Sequence, residues 1–591
     1  MLNLIAHELA PIMFICVMSM LLIGYPVAFT LAAGGLIFFV VGVEMSVLSD
    51  QIRLFWPLLQ SHPDRIFGIM SNDTLLAIPF FTFMGLILER SGMAEDLLET
   101  VGQLFGPIRG GIAYAVVLVG ALLAATTGVV AASVIAMGLI SLPIMMRYGY
   151  DRSFASGTIA ASGTLAQIVP PSLVLIVMAD QLGRSVGDMY LGAFLPALLI
   201  IASYLFYVFL VSMFKPDWAP ALPMEVRTLG SGVTSLIAVF ALAVAIFFAT
   251  KLTVFSHFTN DVAIVWASTA ATFVCYGLAL ANRIFKLGIL SRLTEEVVIV
   301  LIPPLALIFL VLGTIFLGIA TPTEGGAMGA AGGLLMAFAK RRMNMVSLKA
   351  ALDSTAKLSA FVMFILIGAR VFGLTFYGLN GHIWMEELLL AIPGGQTGFL
   401  LVVTLIIFIL GCFLDFFEIA FIMVPLLAPV ADKLGIDLIW FGIILGINLQ
   451  TSFLTPPFGF ALFYLRSIAP GKPWVDKVTG KTMPPVKTTE IYKGVFPYII
   501  IQIIMILVVI AFPQLVTHYK DEAPKPDASI QIQVPQSGEL GLPPLGLDNG
   551  GAMGLPPLEM PVAPAENGTV NQNGIELPAL GLPPAAPATN P

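Results

Sequence analysis

Two stretches of the sequence combine small polar side chains with a pair of prolines, a pattern that interrupts a helix and exposes oxygen ligands. The first covers residues 161–172 and the second covers residues 448–457. Glycine permits unusual backbone angles and proline removes an N–H donor, so hydroxyl oxygens lie beside freed carbonyl oxygens. Such oxygens suit a hard cation such as sodium, and the positive N-terminus of a following helix suits a carboxylate. The candidate ligands in these stretches are Ser162, Gly163, Thr164, Pro170, Pro171, Asn448, Thr451, Thr455, Pro456 and Pro457.

Each stretch is preceded by a polar turn between two apolar segments. The turn before the first is Thr126-Thr127-Gly128, whose hydroxyls are expected to face the same region. The turn before the second contains Asp415 and Glu418, which are three positions apart and share one face of a helix. Two carboxylates at this spacing suit a cation site or a proton-coupled pair, or the acid and base of a membrane-embedded enzyme. A hairpin tip that only contacts water is the simpler alternative.

A third polar cluster, Thr321-Pro322-Thr323-Glu324, lies between apolar segments. It matches a capping box, with threonine as the N-cap, proline at the first helical position and glutamate reaching back. A glutamate beside backbone inside a membrane is costly and is by default a functional candidate. The sequence therefore supports both a capping role and a place along a pathway through the protein.

The two proline-containing stretches belong to one repeated pattern with an offset of 286 residues. Secondary transporters are often built from two such repeats, with helices broken near the middle of the bilayer. A single Pro-Pro pair could be only a kink, with Ser and Thr bonding the carbonyl of the preceding turn. Two copies at one offset favour a functional role. The matching pairs are Pro143 and Pro429, Gly149 and Gly435, Asp151 and Asp437, Ser162 and Asn448, and Pro170-Pro171 and Pro456-Pro457.

The composition places these stretches in a membrane. Hydrophobic residues make up 58% of the 591 residues, and 11% are charged. Soluble domains have about 25% charged residues, and the mean hydropathy here is +0.96. Apolar runs of roughly 20 residues, the length needed to cross a bilayer, recur as far as Leu515. The sequence therefore predicts an all-α polytopic membrane protein, embedded in the lipid bilayer, and excludes a soluble globular fold.

The apolar runs and their breaks define eight predicted parts of the chain. The predicted parts are 1–110, scaffold helices with an interfacial arm; 111–185, a first transport repeat with a hairpin and a broken helix; 186–225, a scaffold helix; 226–290, an inserted helix pair; 291–395, scaffold helices of the second half; 396–470, a second transport repeat; 471–518, a loop and a final helix; and 519–591, a disordered tail rich in Pro, Gly and Leu.

Charge and cysteine usage narrow the expectations further. Lys340, Arg341 and Arg342 form the densest basic cluster between spans, which the positive-inside rule places in the cytoplasm. No lysine or arginine precedes Arg53, so we expect the first helix to be retained rather than cleaved as a signal peptide. The three cysteines and five histidines have no spacing typical of a disulfide or a zinc site.

Four motifs occur in order between residues 8 and 515. They are Ile78-Pro79-Phe80-Phe81, the break from Gly163 to Ser172, Gly318-Ile319-Ala320-Thr321-Pro322-Thr323-Glu324, and Thr455-Pro456-Pro457-Phe458-Gly459. Together they resemble the large permease subunit of tripartite ATP-independent periplasmic (TRAP) transporters. The resemblance implies a multi-pass carrier of the bacterial inner membrane and of the ion-transporter superfamily. It also implies two inverted repeats, each with a re-entrant hairpin and a broken helix, which work as an elevator and hold sodium and a substrate carboxylate at the tips and breaks.

The resemblance also implies the partners of the chain. These are a small four-helix membrane subunit, a periplasmic substrate-binding protein and a small organic anion, with sodium as the coupling ion, no cofactor and no nucleic acid. Two departures stand out. Residues 226–286 add a helix pair that shorter members lack, and the first turn, 126–130, is less rich in serine than the family's pattern, which leaves the ion ligands open.

The expected function is sodium-coupled import of a C4-dicarboxylate, a 2-oxo acid or a related carboxylate. The nearest alternative is a symporter or ion antiporter of the same superfamily that needs no binding protein. A membrane-embedded enzyme using Asp415 and Glu418 is a further alternative, and a scaffolding membrane protein gives no reason for duplicated helix breaks.

Overall fold

The fold is helical throughout, apart from one short β-hairpin, in a computed structural model that describes residues 2–49, 51–230, 232–476 and 478–522. Of the predicted tail, residues 519–522 belong to the short 3-10 helix His518–Glu522, and residues 523–591 lie outside the described range. The helices of the first half are α1 Leu2–His7, α2 Leu9–Ile23, α3 Val27–Met45, α4 His62–Met70, α5 Asp73–Arg90, α6 Met93–Phe105, α7 Gly111–Thr127, α8 Val130–Arg147, α9 Arg152–Thr164, α10 Leu173–Leu182, α11 Val186–Phe214, α12 Val233–Thr253 and α13 Asn260–Phe285.

The second half continues in the same way. Its helices are α14 Arg292–Phe316, α15 Pro322–Ala339, α16 Met345–Gly378, α17 Gly381–Leu390, α18 Gly395–Leu410, α19 Phe416–Ile422, α20 Val424–Lys433, α21 Leu438–Leu454, α22 Phe460–Ile468, α23 Thr488–Ala511 and α24 Gln514–Thr517. Strands β1 (Trp474–Val475) and β2 (Thr482–Met483) pair antiparallel. Within the described residues, eight helices are long and apolar enough to cross a membrane, or up to ten if each of two bent pairs counts as one span. The predicted all-α polytopic architecture is confirmed.

One end of the helical bundle carries Lys340, Arg341 and Arg342 and is called here the basic face. It serves as the reference for the direction in which each helix runs. Asp96 forms ion pairs with Lys340 at 3.0 Å and with Arg342 at 2.9 Å, so α6 lies at this face. Helix α16 begins just beyond it and has 34 residues, a length of about 51 Å. Its far end therefore lies at the opposite face of the protein.

The two helical hairpins enter from opposite faces. Helix α7 starts next to α6 at the basic face. The chain turns at residues 128–129, and α8 returns to the basic face. Helix α18 starts after α16 and α17 at the opposite face, and its hairpin turns at residues 411–415. Each hairpin is followed by a helix with a break, α9–α10 in the first repeat and α21–α22 in the second. The repeats therefore have the same order of elements and inverted orientations.

A second group of helices packs beside the repeats. Helix α15 packs along α5, where a Cβ atom on Gly329 would lie 2.5 Å from the Met84 sulfur. Helix α3 packs along α16, where a Cβ atom on Gly35 would lie 2.9 Å from the backbone nitrogen of Phe372. This second approach requires glycine and lets the two helix backbones meet directly. Helices α3, α5, α14, α15 and α16 are called here the scaffold group.

The inserted segment contributes helices α12 and α13. They pack against each other and against α14 of the scaffold group. Buried Val239, Cys275, Ala279 and Val298 form a small apolar cluster between them. The helix pair therefore adds to the edge of the scaffold group, and because it crosses twice it leaves the direction of later helices unchanged.

Candidate functional site

The first hairpin tip is a buried turn whose hydroxyls bond within it. Helix α7 ends at Thr127 because Gly128 adopts a left-handed conformation with φ 60°. The Thr126 and Thr127 hydroxyls each donate to the Leu123 carbonyl at 2.9 Å. The Thr127 hydroxyl also lies 2.5 Å from the Ser133 hydroxyl of α8. A hydroxyl that donates its proton to a carbonyl keeps its lone pairs free, so these oxygens remain acceptors for a cation.

The first break follows the predicted pattern. Helix α9 ends at Thr164, a short 3-10 turn covers Leu165–Gln167, and α10 begins only at Leu173. Ser162 donates to the Thr158 carbonyl at 2.6 Å and Thr164 to the Ala161 carbonyl at 2.9 Å. All the site residues predicted here are buried, including the two prolines.

Close packing holds the end of α9 between the two arms of its hairpin. A Cβ atom on Gly120 would lie 2.5 Å from Ser162 Cβ, and one on Gly163 would lie 2.4 Å from Val134. A Cβ atom on Gly128 would lie 2.9 Å from Leu173 at the start of α10. The tip and the break of the first repeat are therefore in direct contact.

At the second tip, two carboxylates accept hydrogen bonds from the backbone of the turn. Asp415 caps α19 and its Oδ1 accepts a hydrogen bond from the Phe416 N–H at 2.8 Å. Glu418 reaches back so that its Oε2 accepts from the Asp415 N–H at 3.0 Å. This is a capping box. Glu418 is 8% exposed, so the two predicted carboxylates form a compact, largely enclosed pair.

The second break begins later than the sequence suggested. Helix α21 continues through Asn448 and Thr451 to Leu454, and the non-helical segment covers residues 455–459. A residue before proline disfavours helical angles, which places the helix end next to Pro456 rather than at Asn448. Thr451 donates to the Ile447 carbonyl and Thr455 to the Thr451 carbonyl, both at 2.9 Å.

Asn448 connects its helix to the second hairpin. Its Nδ2 donates to the Thr404 carbonyl of α18 at 2.8 Å, while its buried Oδ1 has no hydrogen-bond partner among the described residues. The corresponding residue in the first repeat, Ser162, also contacts the first arm of its hairpin. The sequence pairing of Ser162 with Asn448 therefore corresponds to a shared position in the fold.

The two tips meet at one cavity of about 800 Å³. It is lined by Val129, Val130 and Ala131 of the first tip, by residues 413–418 of the second tip, and by Phe453, Phe460 and Tyr464 around the second break. The scaffold group supplies the other wall through residues 24–29 around the turn between α2 and α3, and through the face of α16 that carries Lys357. Of the predicted site residues, Asp415 and Glu418 line this cavity. Ser162, Thr164, Asn448 and Thr451 are buried in the packed helices of the repeats.

The two breaks differ in exposure. Pro170 and Pro171 of the first are buried, whereas Pro457 and Phe458 of the second are exposed, Phe458 by 48%. Both Pro-Pro bonds are cis. Helix α22 runs from the second break towards the basic face, and Lys357 lies about 18 Å along α16 from its start at that face. The cavity therefore lies on the basic-face side of the tips.

The third polar cluster lies elsewhere. Thr321 and Glu324 form a capping box at the start of α15, with the Thr321 N–H donating to Glu324 Oε2 at 2.8 Å. Thr323 donates to the Asp73 carbonyl at the start of α5. These residues lie at the opposite face and do not line the cavity.

Several polar residues in this region were not singled out from the sequence. Tyr204 accepts hydrogen bonds from Gln502 at 2.6 Å and from Gln450 at 3.4 Å, which joins α11, α23 and α21 inside the protein. The side-chain oxygens of Gln167, Gln450 and Gln502 are buried without a partner. A glutamine within an apolar segment is a polar residue inside the membrane, and such residues are by default functional candidates. This rule could have identified the glutamines from the sequence.

Comparison with known proteins shows the family of the chain that forms these repeats and this cavity. Residues 14–301 and 289–515 match the family model described as "Tripartite ATP-independent periplasmic transporter, DctM component". This chain belongs to the DctM family. The predicted membership is confirmed, and the chain is therefore a large permease subunit of the bacterial inner membrane rather than an enzyme.

Relatives of the DctM family differ in the cargo for which they are named. The C4-dicarboxylate TRAP transporter large permease protein DctM of Pseudomonas aeruginosa is 30% identical over 71% of this chain and 83% of its own length. The protein of the same name from Vibrio cholerae is 27% identical over 78% of this chain and 89% of its length. The isethionate TRAP transporter permease protein DctMQ of Oleidesulfovibrio alaskensis is 26% identical over 71% of this chain and 55% of its length.

Proposed function

We propose that this subunit imports small organic acids together with sodium ions, receiving the acid from a periplasmic substrate-binding protein and working with a small membrane subunit. The observation that carries the proposal is the meeting of both hairpin tips at one cavity, with Asp415 and Glu418 in its wall. The names of the relatives, which carry C4-dicarboxylates and isethionate, support an organic acid as the cargo.

Sodium coupling is supported by the oxygen atoms of the two repeats. At each break, a hydroxyl donates to a backbone carbonyl and keeps its lone pairs available, as Thr164 and Thr455 do. Asn448 contributes a buried amide oxygen with no protein partner. Hydroxyl, carbonyl and amide oxygens are ligands that hard cations prefer. These residues, with the two tips, would hold the coupling ions.

An elevator movement is supported by how the helices group. Helix α23 packs on α9 and α21, and α8 packs on α22, so the two repeats form one packed body beside the scaffold group. Polar contacts join this body to neighbouring helices at the opposite face. Asn72 at the start of α5 donates to Asp180 at 2.7 Å, and Lys433 forms an ion pair with Glu386 of α17 at 2.5 Å. With the basic face in the cytoplasm, the cavity would face inward in this conformation.

Reconstitution of the complete transporter in proteoliposomes tests the proposal. Uptake of a labelled acid should require an inward sodium gradient and the binding protein encoded with this subunit. Uptake that continues without the binding protein would favour the independent symporter. Uptake that is unchanged when sodium is replaced by potassium on both sides would overturn sodium coupling.

A further inference from the structure

Among the residues that the structure describes, one cationic side chain lines the cavity, and the proposed function leaves it without a role. Lys357 lies on α16 and is exposed in the cavity wall, opposite the second tip with Asp415 and Glu418. It forms no ion pair or hydrogen bond with the residues that the structure describes. A lysine one-third of the way along an apolar helix is costly unless it meets water or an anion. Its position therefore leaves the ammonium group available to an anion that enters the cavity.

The rest of the wall is apolar and largely aromatic. Helix α16 presents Phe361 and Phe364 on the same face as Lys357, at helical spacings of four and seven residues. The remaining phenylalanines come from both sides of the cavity. They are Phe29, Phe413, Phe416, Phe417, Phe453 and Phe460. Aromatic side chains of this number suit an apolar or aromatic body of a ligand.

Polar partners for hydroxyl groups are few in this wall. Apart from Lys357 and the two tip carboxylates, the lining residues within the described part of the chain offer polar side-chain atoms only in Tyr25 and Tyr464. A ligand with many hydroxyls would leave most of them without a protein partner, at a cost of about 1–3 kcal/mol for each group shielded from water. The wall therefore disfavours sugar acids.

The balance of charge disfavours a second carboxylate. A dicarboxylate needs two cationic partners or ions, whereas the cavity wall offers one lysine and two acidic side chains. A carboxylate paired with Lys357 at one end would direct the other end of a short dicarboxylate towards phenylalanines or towards Asp415 and Glu418. Like charges at close range repel each other, and the repulsion grows in an apolar cavity.

From these features we infer that the preferred cargo is a monocarboxylate with an apolar body, and that Lys357 binds its carboxylate. The inference rests on the proposed function, because it assigns the substrate class of the same cavity. Lys357 belongs to the scaffold group and not to the repeats. Because it lines the cavity on the basic-face side of the tips, it meets the cargo there and is a specificity-determining residue while the cargo occupies that cavity.

Binding to the purified full-length subunit tests the inference without the selectivity of a binding protein. Thermal unfolding in detergent with sodium would be measured against increasing phenylacetate, succinate, gluconate and phenylacetamide. Phenylacetate should stabilise the protein at the lowest concentration. Succinate tests the second carboxylate, gluconate tests the hydroxyl groups and phenylacetamide tests the need for a charge.

Substitutions then test the role of the lysine. In Lys357→Gln, the half-saturating concentration of phenylacetate should rise by about fivefold to tenfold, the size of one lost ion pair that is partly shielded from water. Lys357→Arg should keep the affinity within about twofold. Lys349→Gln is the matched control, since it removes an exposed lysine two turns earlier on α16 that does not line the cavity.

Clear outcomes would overturn the inference. Stabilisation by succinate, gluconate or phenylacetamide as strong as that by phenylacetate would refute the substrate class, whether or not Lys357→Gln folds. Unchanged phenylacetate binding in a folded Lys357→Gln would refute the role of the lysine. Sodium-driven succinate uptake by the complete transporter would refute the inference and leave the proposed function intact, whereas the absence of sodium-driven uptake of any acid would refute the proposed function.

Discussion

Gly85 on α5 is in close contact with Thr127 at the first hairpin tip. A Cβ atom on Gly85 would lie 2.4 Å from the Cα atom of Thr127 and 2.8 Å from the carbonyl oxygen of Thr126. The contact joins the scaffold group to a tip that the elevator movement would carry past it. Backbone atoms on the hairpin side cannot rotate away as a side chain would.

Gly85→Ala should therefore displace the first tip, with an overpacking cost of about 1–3 kcal/mol. Sodium-driven uptake in proteoliposomes is expected to fall by about tenfold while the protein still elutes as a folded species. Gly102→Ala on α6 is the matched control, because a Cβ atom there meets nothing within 4 Å. Normal uptake by Gly85→Ala would show that this contact is not part of the cycle.

The carboxylate of Glu418 at the second tip should be needed for uptake, whereas the carboxylate of Glu324 at the start of α15 should not. Glu418→Gln keeps an oxygen that accepts from the Asp415 N–H but removes the charge. A lost charge-assisted contact is worth about 1.5–3 kcal/mol, so uptake at low sodium should fall by about tenfold or more. Glu324→Gln makes the same change in a capping box outside the cavity and should keep uptake close to normal. Equal losses in both variants would place Glu324 in the pathway after all.

The paired polar residues of the two repeats should set the affinity for sodium. Ser162→Ala combined with Asn448→Ala is expected to raise the sodium concentration for half-maximal uptake by about tenfold, the effect of losing about 1.4 kcal/mol of ion binding. Ser467→Ala serves as the control, since this exposed serine also donates to a backbone carbonyl, that of Tyr464. An unchanged sodium dependence in the double variant would refute the assignment of these residues as ion ligands.

Stability should depend on one ion pair at the basic face. Arg147 donates to both oxygens of Asp476, at 2.9 Å and 2.8 Å, and the Asp476 side chain is 2% exposed. Asp476→Ala leaves the arginine without its partner and should lower the free energy of unfolding by about 3–5 kcal/mol. Asp432→Ala removes an exposed pair with Arg184 at 3.9 Å and should cost less than about 1 kcal/mol. Thermal unfolding in detergent measures both.

The same pair predicts a pH dependence. Hydrogen bonds from Arg147 hold the pKa of Asp476 well below its usual range. A carboxylate with a depressed folded-state pKa stabilises the protein above its unfolded pKa of about 3.9 and loses that effect as the pH falls towards the folded value. The difference in unfolding temperature between wild type and Asp476→Asn should therefore stay constant from pH 8 to about pH 5 and shrink below it. A difference that disappears already between pH 7 and pH 5 would contradict this.

The sequence predicted the helical fold well where hydrophobic runs were long. The turn between α2 and α3 at residues 24–26, the break after Thr164 and the return at residues 128–129 all lie where glycine and proline interrupt apolar segments. It did not predict α6, whose apolar residues occupy one face only, or α17, whose short apolar run lies between glycines. Such short helices depend on tertiary packing more than on local pattern.

The site was predicted in part. The offset of the repeats placed Ser162 and Asn448 at related positions. The spacing of Asp415 and Glu418 predicted one shared helix face; both line the cavity, but Asp415 is the N-cap of α19 and Glu418 reaches back to it. Lys357 was not predicted, because which face of α16 meets the tips depends on packing between distant parts of the chain. The late end of α21 was also missed, since polar residues can continue a helix until a proline stops it.

The Pro-Pro break of the first repeat is buried and that of the second is exposed, and this difference predicts a second conformation of the protein. Each repeat carries the same elements in an inverted orientation, so the buried arrangement of one is a template for the other. If residues 111–182 took the conformation of residues 397–468, and the reverse, the first Pro-Pro break would be exposed and the second would be buried. Under the proposed elevator movement, each half of this conformation would therefore show the arrangement that the other half adopts at the opposite end of the cycle.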